Sequence, residues 1–261
     1  MGRILAVTNQ KGGVGKTTSS VNLAASLAAQ GRRVLLVDLD PQGNATMGCG
    51  IEKKSLEGTV CDLLLEDDVR PEEVLKRAPE PAPGFDLLPA NADLTAAEVE
   101  LLGMASREYR LRSVLDGLRE RYDWILIDCP PSLSILTVNA LTAADGVIIP
   151  MQCEYYALEG LSALLDTVAA VRERTNPKLK IEGLLRTMFD PRNSLTRDVS
   201  RQLIQHFGER VYRTVIPRNV RLAESPSHGM PVLAYDRLSR GAVAYQAFAA
   251  ELSRRHAEGA A

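Results

Sequence analysis

Short, uninterrupted apolar runs alternate along the chain with longer stretches whose apolar positions recur at helical spacing. Ile4-Leu5-Ala6-Val7 precedes a predicted helix from about Thr17 to Gln30, and Arg33-Val34-Leu35-Leu36-Val37-Asp38 follows it. Further strands are predicted at Phe85-Asp86-Leu87-Leu88-Pro89, Trp124-Ile125-Leu126-Ile127-Asp128, Gly146-Val147-Ile148-Ile149-Pro150 and Ile181-Glu182-Gly183-Leu184-Leu185, with a closing helix over Ala242–Arg255. Runs without polar interruption suit strands covered on both faces, and the helices between them suit the crossovers of a parallel sheet. The expectation is an α/β fold, a mostly parallel β-sheet flanked by helices on both faces. Ligands of such sheets gather beyond the carboxyl ends of the strands. The polar residues cluster there: Asn9, Gln10 and Lys11 after the first strand, Asp38 and Asp40 after the second, and Asp128 at the end of a central one.

With 261 residues and 45% apolar composition, the chain can bury one sizeable core, so residues 1–261 are read as a single domain. The acidic, Pro-rich stretch 66–84 is read as a surface excursion, and residues 256–261 as a frayed tail. No apolar run approaches the roughly 18 residues of a membrane span, and no leader-like segment opens the chain, so a cytoplasmic protein without a membrane partner is expected. Cys49, Cys61, Cys129 and Cys153 are scattered, as are the three histidines, which gives neither a disulfide framework nor a zinc pattern. The net charge of −2 hides an asymmetry: residues 1–150 carry −6 and residues 151–261 carry +4, so a polyanion would meet the second half.

Gly12-Gly13-Val14-Gly15-Lys16-Thr17-Thr18 lies between a predicted strand and a helix. Glycine-permitted backbone N–H groups and a helix N-terminus in that setting surround nucleotide phosphates. Lys16 would neutralise β/γ oxygens and the Thr17 hydroxyl would ligate Mg²⁺. A strict phosphate-loop pattern fails, because Gln10 stands where a glycine is wanted. Alternation puts Asp38 and Asp40 on one side of the second strand's end, where Pro41 stops it, so that a carboxylate can face the γ-phosphate. Asp128 closes four hydrophobes at the position of a carboxylate that holds Mg²⁺, directly or through a water.

Lys11-Gly12-Gly13-Val14-Gly15-Lys16-Thr17, with its second lysine at the loop's start, resembles the deviant Walker A motif of the ParA/MinD ATPases, which have a P-loop NTPase fold. Asp38-Leu39-Asp40-Pro41-Gln42-Gly43-Asn44-Ala45-Thr46, Cys153-Glu154-Tyr155-Tyr156-Ala157-Leu158-Glu159-Gly160 and Val215-Ile216-Pro217-Arg218-Asn219-Val220-Arg221-Leu222 further resemble the short chromosomal ParA (Soj) branch. The likeness spans about residues 3 to 255. It implies an ATPase using ATP and Mg²⁺ with slow intrinsic turnover. It also implies a homodimer in the ATP state, non-specific double-stranded DNA as a partner, nucleoid association, and a ParB/Spo0J-type centromere-binding protein that stimulates hydrolysis. By the same resemblance Lys11 reaches the partner subunit's nucleotide, Asp40 positions or activates the attacking water, and Pro217 and Asn219 lie against the base. Thr17 binds Mg²⁺, Asp128 supports the metal, and Asp38 has a secondary role there.

Eight arginines against three acids lie between Arg186 and Arg221, an aromatic-poor composition suited to sequence-independent phosphate contact. Arg197 and Arg201, four apart on a predicted helix, share a face. The resemblance adds Arg192 and Arg221 as DNA contacts. Arg186, where an apolar strand residue is expected, and Ser225, in place of the usual alanine, depart from the pattern. The alternatives are a MinD-like membrane-associated ATPase for division-site placement, which needs a terminal amphipathic helix, a cysteine-bridged cluster carrier, and a metabolic transferase.

Overall fold

The computed structural model describes residues 2–155 and 157–258, with the side chains of residues 157–159 left out. Tyr156, within one of the resembling segments, and residues 259–261 of the predicted tail lie outside the described residues. Strands β1 (Arg3–Val7), β2 (Val34–Asp38), β3 (Lys76–Arg77), β4 (Asp86–Leu88), β5 (Trp124–Asp128), β6 (Gly146–Gln152), β7 (Lys180–Phe189) and β8 (Val211–Pro217) form one sheet in the order β3-β4-β2-β5-β1-β6-β7-β8. Every pairing is parallel except β3 with β4. The helices are α1 (Lys16–Ala29), α2 (Asn44–Gly48), α3 (Val60–Leu65), α4 (Pro71–Val74), α5 (Leu94–Leu102), α6 (Arg110–Leu118), α7 (Ile135–Ala143), α8 (Ala157–Arg174), α9 (Ser194–Phe207), α10 (Val220–Glu224), α11 (Val232–Tyr235) and α12 (Arg240–Glu258).

Alternation within the strands sorts the core into two layers. Ile4, Ala6, Leu35 and Val37 pack with α3, α5, α6, α7, α8 and α9, while Leu5, Val7, Leu36 and Leu126 pack with α1, α2, α11 and α12. Covering both faces is what makes the strand sequences continuously apolar. The excursion expected over 66–84 is in part built into the sheet: α4 buries Val74, and β3 adds an antiparallel edge strand. The register explains why, since Lys76 and Arg77 pair with Leu87 and Asp86 while their charged side chains stay at the rim.

Parallel register also builds the site. Val7 and Asp38 both pair with Asp128, so the ends of β1, β2 and β5 are level, and the loops after them meet above one point. Helix α1, which leaves the first of these loops, is tied down by Ser19 Oγ to Tyr245 Oη (3.0 Å) and by Asn22 Oδ1 accepting from Val232 N (2.7 Å).

The other edge is protected by a buried charge. Glu251 of α12 accepts from the consecutive backbone N–H groups of Arg213 and Thr214 at 2.8 Å each, and from Arg255 at 2.7 Å. Burial alone would raise its carboxyl, but these donors hold it below its ordinary value. A depressed carboxyl contributes stability that is present above the unfolded pKa and is lost as pH falls through the folded one. Glu251→Gln is therefore expected to cost about 1.5–3 kcal/mol at neutral pH, measured by urea unfolding. The gap from the parent should close below the carboxylate range; a gap independent of pH would contradict this account.

Candidate functional site

The loop from Val7 to α1 turns twice through left-handed backbone, at Gly13 (φ 73°) and Gly15 (φ 86°), which side chains disfavour. Nothing lies within 4 Å of where a Cβ would stand on Gly12 or Gly13, so the backbone is open to a ligand there. Helix α1 begins at Lys16 with no side chain capping it, which leaves its first N–H groups free for an anion. Two pins hold the loop in shape. Asn9 donates from Nδ2 to Pro150 O (2.8 Å) and accepts from Lys11 N (3.0 Å), while Thr187 donates its hydroxyl to Val14 O (2.8 Å).

The two lysines differ in setting. Lys16 is buried and donates to Lys11 O (3.2 Å); burial lowers its ammonium, and Asp128, Cys129 and Asp40 push the other way. Lys11 stands at the exposed lip, paired with Glu154 at 2.7 Å.

Three carboxylates surround this loop. Asp128, wholly buried, accepts from Thr17 Oγ1 (2.7 Å) and Ser20 Oγ (2.8 Å). Burial first, then repulsion from Asp38, lifts its carboxyl above the usual range. Asp38 is raised in the same direction by burial. Asp38, expected beside the metal, has both oxygens taken, Oδ2 by the N–H and hydroxyl of Thr46 (2.8 and 2.7 Å) and Oδ1 by Asp40 N (3.2 Å). It organises the β2–α2 turn, because its oxygens hold the N–H and hydroxyl of Thr46 on α2 and the N–H of Asp40. Asp40 accepts from Gln42 N through Oδ1 (2.9 Å), and its Oδ2 takes no protein partner among the described residues. The residues present thus fit a nucleotide polyphosphate on the loop's N–H groups and a divalent cation at Thr17 and Asp128. A divalent cation bound there would favour the ionised form of Asp128 that burial disfavours.

Pro217 ends β8, and Asn219 caps α10 by accepting from Leu222 N at 3.3 Å. Ser20, Thr46, Glu154 and Thr187 are site residues that sequence reasoning does not single out. Ser20 lies one turn after Lys16 and is open to inference from helical spacing, whereas Glu154 and Thr187 reach the loop from 143 and 173 residues away.

The arginine stretch is less free than its composition suggests. Arg192, 89% exposed, is held by Asp190 through Nε and Nη2; Arg201 pairs with Asp198, and Arg221 with Glu224 and Asp236. Arg197 donates to Pro191 O. Exposed ion pairs of this kind contribute little to stability and are screened by salt. Arg186 is a correction: it is 8% exposed and adds nothing to the basic surface, because its strand position faces α9 rather than solvent. Ser225 is buried, and its hydroxyl has no partner among the described residues.

Residues 2–181 match the family described as AAA domain. The chain is 54% identical to the sporulation initiation inhibitor protein Soj of Bacillus subtilis, over 97% of this chain and 99% of that protein. It is 51% identical to the chromosome partitioning protein ParA of Myxococcus xanthus, over 98% of this chain and 89% of that one. Among solved structures it resembles cobyrinic acid a,c-diamide synthase from Mycobacterium smegmatis with bound ADP and magnesium. There the TM-score is 0.86 and the identity 44%, over 99% of this chain and 97% of that one.

Proposed function

The chain belongs to the ParA/Soj-type ATPases, and from that premise we propose that it is a partitioning ATPase whose ATP state closes a homodimer and binds DNA. It hydrolyses ATP with Mg²⁺. The observation that carries the finer reading is the division of labour between its lysines: Lys16 is buried under the loop, and Lys11 stands exposed at its lip. A buried ammonium neutralises phosphate within the chain, while an exposed one can reach a nucleotide in a second copy, so that dimerisation senses the γ-phosphate.

In the proposed mechanism the N–H groups of residues 12–18 bind the phosphates, and Lys16 offsets their charge. Thr17 and Asp128 would hold Mg²⁺, which supplies neutralisation of charge on the phosphate oxygens. Ser20, which also donates to Asp128, would keep that carboxylate in place with the hydroxyl of Thr17 given to the metal. Asp40, with one oxygen free of protein partners among the described residues, orients the attacking water and accepts its proton. Pro217 and Asn219 would border the base. Asp38 keeps the turn that presents Asp40. Slow hydrolysis fits a site in which, among the described residues, no arginine is in hydrogen-bond contact with Asp40 or Lys16, and a ParB/Spo0J-type partner would accelerate it.

The DNA face would be the exposed arginines at 192, 197, 201 and 221, doubled by dimerisation, which places the protein on the nucleoid. In the hydrolysis-deficient Asp40→Ala protein, an arbitrary duplex should be bound with ATP and not with ADP or without nucleotide, and salt should weaken it. Arg192→Ala and Arg221→Ala should weaken binding to all duplexes alike and make the salt slope shallower by about 0.9 for each phosphate that is no longer neutralised. Discrimination between unrelated duplexes would refute backbone contact.

The other readings meet specific obstacles. A membrane-bound role would need an apolar helix face, yet Phe248 and Leu252 of α12 are wholly buried, and no helix among the described residues is long and apolar enough to cross a membrane. Cluster carriage, or an amide synthesis drawing ammonia through a thiol nucleophile, would need accessible thiolates. All four cysteines are buried, and burial pushes their thiols up, Cys153 to about 11.

A further inference from the structure

β7 carries two neighbouring side chains that the proposed chemistry does not use and that tie opposite faces of the sheet. Successive residues of a strand point to opposite faces. Thr187 points toward α1, and its buried hydroxyl holds Val14 O of the phosphate loop at 2.8 Å; a Cβ on Gly15 would stand 3.8 Å from its methyl. Arg186 points toward α9, donating from Nη1 to Ser200 Oγ (2.8 Å) and from Nη2 to Tyr212 O (2.8 Å) and Arg213 O (3.2 Å) of β8. Among the described residues its guanidinium makes no salt bridge and its Nε has no partner, and burial lowers its affinity for its proton. Beyond these hydrogen bonds its guanidinium lies 5.8 Å over the Phe189 ring, and a buried cation without a carboxylate partner is a poor way to gain stability.

The strand is irregular at this point. Its pairing with β8 slips between Arg186 and Phe189, and Met188 is left-handed at φ 48°. A bulge with a strained non-glycine residue beside a ligand loop is a place where a strand can be re-aimed. From there the chain runs directly into Asp190, Arg192 and α9, whose N-terminus Asn193 caps by accepting from Leu195 N.

We propose that Arg186 is a positioning residue which, with Thr187, makes β7 a lever coupling the phosphate loop to the arginine-bearing segment 190–201. The functional meaning of the lever rests on the DNA reading of that segment; the mechanical link does not.

The test is amide hydrogen exchange of residues 190–207 in Asp40→Ala protein, without nucleotide and with Mg²⁺ and ATP. It is run on that protein and on the same protein carrying Thr187→Ser, Thr187→Val, Ser200→Ala or Arg186→Met. ATP should change exchange in this segment by about threefold or more in the parent and in Thr187→Ser, which keeps the hydroxyl, the lower range of coupling through packed networks. The response should vanish in Thr187→Val, Ser200→Ala and Arg186→Met. Ser200→Ala should bind ATP as the parent does, and Arg186→Met should unfold no more easily. No response in the parent, an equal response in all variants, or disappearance of the response only alongside a fall in stability would overturn the lever. Duplex binding on the same proteins separates the two ideas. A lever without a DNA face shows the exchange pattern but no ATP-dependent binding, and a DNA face without a lever keeps its preference for ATP over ADP in every variant.

Discussion

Lys16→Ala is expected to weaken ATP binding by at least about a hundredfold, and with it every ATP-dependent property. A lysine on phosphate makes charge-assisted hydrogen bonds of about 1.5–3 kcal/mol each, and here the ammonium is already stripped of water. Its hydration cost is met when the protein folds rather than when nucleotide arrives. Burial lowers its ammonium, while Asp128, Cys129 and Asp40 push the other way. The measurement is equilibrium binding of a fluorescent ATP analogue, paired with the rise in melting temperature on adding Mg²⁺ and ATP, which should disappear. ATP affinity within about threefold of the parent would remove Lys16 from the phosphate site.

Asp40→Ala should do the opposite: leave ATP bound and stop its turnover. Its Oδ1 is fixed by Gln42 N while Oδ2, on a buried residue, takes no protein partner among the described residues, which leaves one oxygen for a water in the site. Removing a general base costs about 10²–10⁴ in rate, so phosphate release should fall by that range while nucleotide affinity stays within about threefold. Asp38→Asn offers the contrast. Its carboxylate accepts three hydrogen bonds that shape the turn, so that variant should lower stability as well as turnover. An Asp40→Ala protein that hydrolyses ATP at the parental rate would assign the base elsewhere.

The arginines show where composition misleads. Eight lie in one basic stretch of sequence, but Arg186 is inside the protein and three of the others hold acids, two of them, Glu224 and Asp236, lying beyond the stretch. Charge along a sequence adds up without regard to which side of a strand each residue takes. A fold sorts it by face. The stretch 66–84 departs from a plain surface excursion for a related reason: two residues suffice for an edge strand when a register is already offered by β4.

By itself, the sequence determined what local chemistry can encode. Uninterrupted apolar runs specify doubly covered strands, glycines at 13 and 15 permit left-handed turns, and a Lys-Thr pair opening a helix specifies an anion cradle, so the layers, the loop and Asp128 at a strand's end were legible. Only the tertiary structure decided which distant groups close the site. Glu154 meets Lys11, Asn9 and Thr187 pin the loop, and Asp38 spends its oxygens on Thr46 and the N–H of Asp40. Those contacts depend on the order in which strands are laid side by side and on the level at which their ends stop, and the periodicity of one strand carries no record of its neighbour's register.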